Sequence, residues 1–241
     1  MILLDAGNSG IKGQAFVENQ LLGSVSCRYQ PDWTARLAAW LAPLQGSPVY
    51  LCSVLDSERQ ASLDTCLQDF EVTRRVATAQ ALGVTSGYAE PNRLGDDRWM
   101  ALLGAAGYAR GSCMVIDAGS AITVDLLSAD GRHLGGAILP GFNTSLERFK
   151  TIFSHIDFDD PRIVASDAPG DSTEAAIQID YAHGSTARLP ALVKHWTTLF
   201  EDEPLLLLAG GDAARVQLLL DYPSRILPDL VFRGLRRLIE T

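Results

Sequence analysis

Basic residues are in deficit: 20 Lys and Arg stand against 29 Asp and Glu in 241 residues, a formal net charge of −9 with a pI near 4.9. Broad, sequence-independent binding to nucleic acid needs a dense basic surface that displaces phosphate counterions, so this composition argues against nucleic-acid partners. An anionic ligand would have to meet a local device instead: a helix N-terminus, a glycine-rich turn, a metal ion or a few placed Lys and Arg side chains. Long apolar runs are also missing. "PLLLLAGG" falls far short of the roughly 20 residues that span a bilayer, and no membrane anchor is expected. The four cysteines, Cys27, Cys52, Cys66 and Cys113, form no CxxC pair. Asp5 interrupts "MILL" too early for a secretory segment, so reduced thiols in the cytoplasm are expected. His133, His155, His183 and His195 lack metal-ligand spacing and read as surface or internally satisfied groups.

What is present is an ordinary globular composition, 47% hydrophobic and 20% charged, long enough for two lobes joined across a cleft. Ile2 to Leu4, Ile11 to Val17 and Leu21 to Ser26 read as a three-strand meander. A helix over "WTARLAAWLAPL", a buried strand "VYLCSV" and a helix capped by Ser57 follow. Thr78 to Gly95 is a long irregular stretch of the kind that carries function. A helix then begins near Asp97, with Trp99, Leu102, Leu103 and Ala106 on one face. "MVIDAG", "AITVDLLSADG" and "RHLGGAIL" form a second meander. Helices at about 143–153 and 173–200, the strand "LLLLAGG", and helices over 213–220 and to Glu240 complete the chain. The predicted class is α/β, a duplicated mixed-sheet fold with lobes at 1–110 and 111–241.

The duplication centres on two turns, "LLDAGNSG" and "VIDAGSA". A carboxylate ending a strand before small residues offers backbone N–H groups to phosphate oxygens and an oxygen ligand to Mg²⁺. One such turn is commonly a plain hairpin; two in matching strand context point to a two-sided phosphate clamp. Lys12 reads either as a solvated charge or as a cation beside the transferring phosphate.

With "DAGNSGIK" and "DAGSAITVD" as paired phosphate loops, the sequence resembles the actin, sugar kinase and Hsp70 superfamily of duplicated ribonuclease-H-like ATP-binding folds. "YAEPNRLGDDRW" and "GGAILPG" are similar to segments of the type III pantothenate kinase family, over nearly the whole chain. The resemblance implies phosphorylation of pantothenate by ATP, the first step of coenzyme A synthesis. It also implies Mg²⁺ with the nucleotide, a monovalent cation such as K⁺ or NH₄⁺, and a homodimer. A sugar kinase and a nucleotide-binding regulatory or chaperone-like protein of the same superfamily are the competing readings.

By the same resemblance, Asp97 is the catalytic base, and Asp5, Ala6, Gly7, Asn8, Ser9, Gly10, Ile11, Lys12 and Ser120 contact ATP, with Asp5 also facing Mg²⁺. Tyr88, Gly95, Asp96, Asp97, Arg98 and Thr173 line the pantothenate pocket, and Asp117 holds the monovalent cation. Arg98 suits a carboxylate because its planar fork can donate two parallel bonds, although a surface pair with Asp96 is the alternative. Thr173 reads equally as a helix N-cap. Ser120 and Ala209 stand where the family has Thr. Gly135, Gly136 and the Pro140-Gly141 turn read first as packing and turn residues.

Overall fold

The first thirty residues fold as the alternating pattern dictates. In the computed structural model, which describes residues 1–156, 169–180 and 187–241, β1 (Ile2–Ala6) pairs antiparallel with β2 (Gly10–Val17), and β2 with β3 (Gln20–Arg28). After α1 (Trp33–Leu41), β4 (Val49–Ser53) joins the other side of β1 in parallel. After α2 (Ser57–Cys66), β5 (Val72–Arg74) joins β4. The sheet order is β3-β2-β1-β4-β5. Ile2, Leu3, Leu4 and Ala6 of the central strand are all buried, as a strand covered on both faces requires.

A two-stranded hairpin, β6 (Gln80–Ala81) and β7 (Val84–Thr85), precedes α3 (Asp96–Tyr108). Its tip residues Leu82 and Gly83 have φ of 52° and 81°, the sign pattern of a tight two-residue hairpin turn. The second half repeats the first: β8 (Cys113–Ala118), β9 (Ala121–Leu127) and β10 (His133–Pro140) precede α4 (Phe142–Ile152), α5 (Thr173–Asp180) and α6 (Arg188–Thr197). Then come β11 (Leu205–Ala209), α7 (Ala213–Leu219), β12 (Ser224–Ile226) and α8 (Leu230–Ile239). The order β10-β9-β8-β11-β12 matches that of the first sheet strand for strand. Duplication, inferred from two short motifs, therefore extends through both sheets.

Two compact units divide the chain, one of residues 1–110, 131–135 and 229–241, the other of 111–130 and 136–228. Residues 229–241 fall in the first unit, where α8 packs on α3. A Cβ on Gly234 would lie 2.7 Å from the Met100 carbonyl carbon, and one on Gly104 3.1 Å from the Gly234 nitrogen, so both glycines permit a close helix crossing. Arg237 adds a hydrogen bond to the Leu103 carbonyl.

Some details differ from expectation. Asp56, not Ser57, caps α2, its carboxylate accepting from Arg59 N–H at 2.9 Å. Helix α3 is buried continuously from Arg98 to Ala105 rather than along one stripe, since β4, β7 and α8 all touch it. Strands β5 and β12, three residues each, are too short to show a period. Of the helix predicted over 173–200, residues 181–186, including His183, lie outside the described residues.

Candidate active site

In the first unit, β1 ends at the Asp5-Ala6-Gly7 turn. Asp5 is half-buried and pairs in register with Lys12 on β2 and Cys52 on β4. Side chains in register share a sheet face, so a carboxylate, an exposed ammonium and a thiol form one row. Asn8 and Ser9 are exposed at the tip, and Gly7 N–H closes the turn on Gly10 C=O at 3.1 Å. Ala6 and Ile11 point into the core, so of these two only the main chain is available to a ligand.

The turn is braced from residues distant in sequence. Tyr29 O–H donates to Gly7 C=O at 2.9 Å, and Arg59 donates to Asn8 C=O at 3.3 Å. The Arg59 guanidinium also lies 4.7 Å from the centre of the Tyr29 ring. Burial pushes the Tyr29 phenol well up; Arg59 opposes this, while Asp5 and Asp56 add to it. The phenol therefore remains a donor. Neither Tyr29 nor Arg59 was foreseen, and no local motif marks them.

Helix α3 begins with Asp96 and Asp97 in its first turn, where the positive end of the helix dipole favours carboxylates. Asp97 Oδ1 accepts the Arg98 N–H at 2.8 Å, and a Cβ on Gly95 would lie 2.7 Å from that oxygen. Glycine at 95 thus leaves room for the Asp97 carboxylate. Asp96 Oδ1 accepts the Ala77 N–H at 2.7 Å. Burial, foremost, and Asp97 raise the Asp96 carboxyl above its ordinary range, while the Ala77 bond lowers it. Cys52 joins the two ends of the site: burial, then Asp5, Asp97 and Asp96 in that order, drive its thiol far up. Asp5 and the first turn of α3 therefore act on the same thiol within one unit.

Arg98 is only 7% exposed, and its Nη1 donates to the Tyr88 hydroxyl oxygen at 2.9 Å. Tyr88 in turn stacks on His133 with ring centres 5.8 Å apart and planes 17° from parallel. His133 is buried, an internal group rather than a surface one. The first turn of α3 thus carries a carboxylate at Asp97 and a buried, forked cation at Arg98.

In the second unit, register sets Asp117 between Thr123 on β9 and Ala209 on β11. Ala209 supplies no hydroxyl there. Gly210, at φ 85°, would place a Cβ 2.6 Å from Asp117 Oδ1, so a left-handed glycine seats that carboxylate. Ser120 is exposed, and its C=O accepts from Gly141 N–H at 2.9 Å and Thr144 O–H at 2.6 Å. A Cβ on Gly141 would fall 2.7 Å from that oxygen, so Gly141 lets the start of α4 close on the second turn. Gly135, at φ 108°, needs its glycine for backbone conformation. Thr173 is exposed in the first turn of α5, where Ser172 provides the cap through a 3.1 Å bond from Ala175 N–H.

Among the described residues no group of three or more His, Cys, Asp or Glu side chains could hold a metal. A hard divalent cation on Asp5 would take its remaining oxygen ligands from phosphate and water, the usual arrangement for Mg²⁺ with a nucleotide. No described helix is long and apolar enough to cross a membrane. A groove of about 380 Å³ lined by Phe16, Tyr108, Phe232 and Arg233 contains none of these site residues.

The family model described as type III pantothenate kinase matches residues 1–195. A type III pantothenate kinase of Pseudomonas putida strain W619 is 36% identical over 98% of this chain and 97% of its own length. Among solved structures, a Sinorhizobium meliloti protein assigned as a 2-dehydro-3-deoxygalactonokinase superposes with TM-score 0.60 at 14% identity, covering 98% of this chain and 97% of the other. MreB 5 of Spiroplasma citri bound to AMPPNP superposes with TM-score 0.50 at 12% identity, covering 99% and 95%. Both structural likenesses speak to the fold alone.

Proposed function

The chain belongs to the type III pantothenate kinase family, and on that premise we propose how its residues carry out ATP-dependent phosphorylation of pantothenate, the entry to coenzyme A synthesis. The observation that carries the proposal is the α3 N-terminus, where Asp97 and the buried Arg98 are consecutive on a helix that packs against β4, the strand paired in register with β1 and Asp5.

In this reading the amides of Gly7 to Gly10 bond the phosphate chain, and Asp5 and Lys12 face it from β1 and β2. Ser120 contributes its hydroxyl to the nucleotide from the second turn. Asp5 would hold Mg²⁺, which would supply neutralisation of the phosphate charge. Arg98 forms a bidentate pair with the pantothenate carboxylate, and Tyr88, Gly95, Asp96 and Thr173 complete the pocket. The primary hydroxyl then lies toward Asp97. Its oxygen forms a bond to the γ-phosphorus as the bond to the β-phosphate oxygen breaks, ADP leaves, and the hydroxyl proton passes to the Asp97 carboxylate. In a loose transition state the base acts mainly by orientation and takes the proton late, so Asp97 needs no raised pKa.

Asp117 is assigned to a monovalent cation; the half-buried carboxylate beside left-handed Gly210 supports this. A homodimer is assigned as well, supported by the exposed Leu134 and Ile138 on β10, at the edge of its sheet. Four thiols without a disulfide support a reducing, cytoplasmic setting. The division into lobes at 1–110 and 111–241 is kept as a proposal about ancestry, each lobe carrying one phosphate turn. Purified protein with ATP, Mg²⁺ and K⁺ should release ADP only when pantothenate is added. Equal turnover with glucose, or turnover without any acceptor, would overturn the substrate assignment, and equal activity in Na⁺ alone would remove the cation from Asp117.

A further inference from the structure

We propose that His133 is a positioning residue for the acceptor site, and that the short segment 131–135 is a strap that fixes Tyr88 and, through it, Arg98. The proposal deepens the pantothenate reading and rests on it for the identity of the ligand. Its structural half stands apart from that reading.

The strap comes from the turn between β9 and β10, yet it belongs with the first unit. Thr85 N–H donates to Gly131 C=O at 2.9 Å, and Thr85 makes a bridge with Arg132. Gly131 has φ 84°, and a Cβ there would sit 3.2 Å from the Gly83 carbonyl carbon; one on Gly87 would sit 3.0 Å from the His133 carbonyl carbon. Glycines on both sides thus allow main chain to meet main chain. The consequence is that Gly83, Thr85 and Gly87 lie close against residues 131–133.

His133 is 0% exposed, and its ring lies almost parallel to that of Tyr88. A ring pair of this kind resists rotation of either partner. Swinging Tyr88 away from the imidazole gives up that stack, and its hydroxyl is the acceptor for Arg98 Nη1. Arg98 has a long side chain with many rotamers open to it. An Arg that must present a fork to a carboxylate gains from having one nitrogen already tied down. The stack at His133 therefore acts on pantothenate recognition without His133 touching the substrate.

The test uses the full-length protein with His133→Ala, which removes the ring, and His133→Phe, which keeps a stacking surface. Loss of one aromatic pair predicts a rise of about two- to tenfold in the pantothenate KM of His133→Ala, with kcat and the ATP KM changed by less than about twofold. His133→Phe should recover most of the pantothenate KM. Carbon-13 tyrosine NMR, with the Tyr88 signal assigned from Tyr88→Phe, supplies a readout that needs no substrate. The Tyr88 ring shift should move toward its solvent-exposed value in His133→Ala and stay near the parent value in His133→Phe.

An unchanged pantothenate KM in a folded His133→Ala protein overturns the proposal, as does an unmoved Tyr88 signal. Parallel losses in all kinetic constants, unrescued by Phe, overturn it in favour of a structural role alone. If the parent protein does not use pantothenate, the functional reading fails, while the Tyr88 signal still decides whether His133 positions that ring.

Discussion

Replacing Gly234 with Ala tests whether the α3–α8 contact sets the geometry of the site. Taken alone, Ala in a helix interior is better than Gly by about 1 kcal/mol. Here the new Cβ would lie 2.7 Å from the Met100 carbonyl carbon, where carbon atoms pack best at about 3.5–4.0 Å. The obstacle is backbone in a continuous helix, so no side chain can swing away, and the helices must part by about 1 Å. Overpacking of this kind costs about 1–3 kcal/mol, and the Arg237 bond to Leu103 is strained as well. With the propensity gain subtracted from the upper value, a net loss of about 2 kcal/mol lowers Tm by about 4–8 °C in a chain of this size. Because Asp97 and Arg98 ride on the same helix, an ångström of displacement should lower kcat by up to about 10²-fold. Circular dichroism melting and steady-state ADP release read both numbers. A Tm at or above that of the parent, with parental kcat, would show that the helices are not locked by this contact.

Three further substitutions test separate parts of the site. Arg98→Lys loses the fork and should raise the pantothenate KM by about 10–100-fold, measured at saturating ATP; a rise below about threefold would remove Arg98 from carboxylate recognition. Tyr29→Phe deletes the bond to Gly7, worth about 1 kcal/mol, and should raise the ATP KM by about fivefold with the pantothenate KM unmoved; a change in pantothenate alone would contradict the brace. Asp96 has a raised carboxyl in the folded state, so the native protein holds that proton more tightly than the unfolded chain. Its contribution is fully present below its unfolded value and is lost as pH climbs through the raised one. Asp96→Asn, which can still accept the Ala77 amide, should remove this part of the decline in urea midpoints as pH rises above the ordinary carboxylate range; an unchanged pH profile would refute it.

The parts of the site that were legible in the sequence are those whose geometry is local. Asp5 to Lys12 is one strand, turn and strand, and the chemistry of Asp97 and Arg98 follows from their place in the first turn of a helix. Both meanders could be read from alternation and turn residues, and the matching order of the two sheets follows from their repetition. What stayed hidden depends on distant segments meeting. Tyr29 and Arg59 reach the first turn from 22 and 51 residues away, and His133 meets Tyr88 only because the turn before β10 returns to the first unit. Helix α8 gave no sign that it packs on α3, since its glycine reads from sequence as a weak point rather than as a contact. The cap of α2 was misplaced by one residue because Asp56 and Ser57 are both good caps.

The central claim is that Asp97 receives the proton of the pantothenate hydroxyl, and Asp97→Asn tests it most directly. Asn keeps the size of the side chain and an oxygen for the Arg98 amide but cannot accept that proton. Rapid-quench measurement of 4′-phosphopantothenate formation, with calorimetric binding of each substrate, should show the chemical step slowed by about 10²–10⁴-fold and both affinities within about threefold of the parent. A chemical step at the parental rate with both substrates bound would contradict the account.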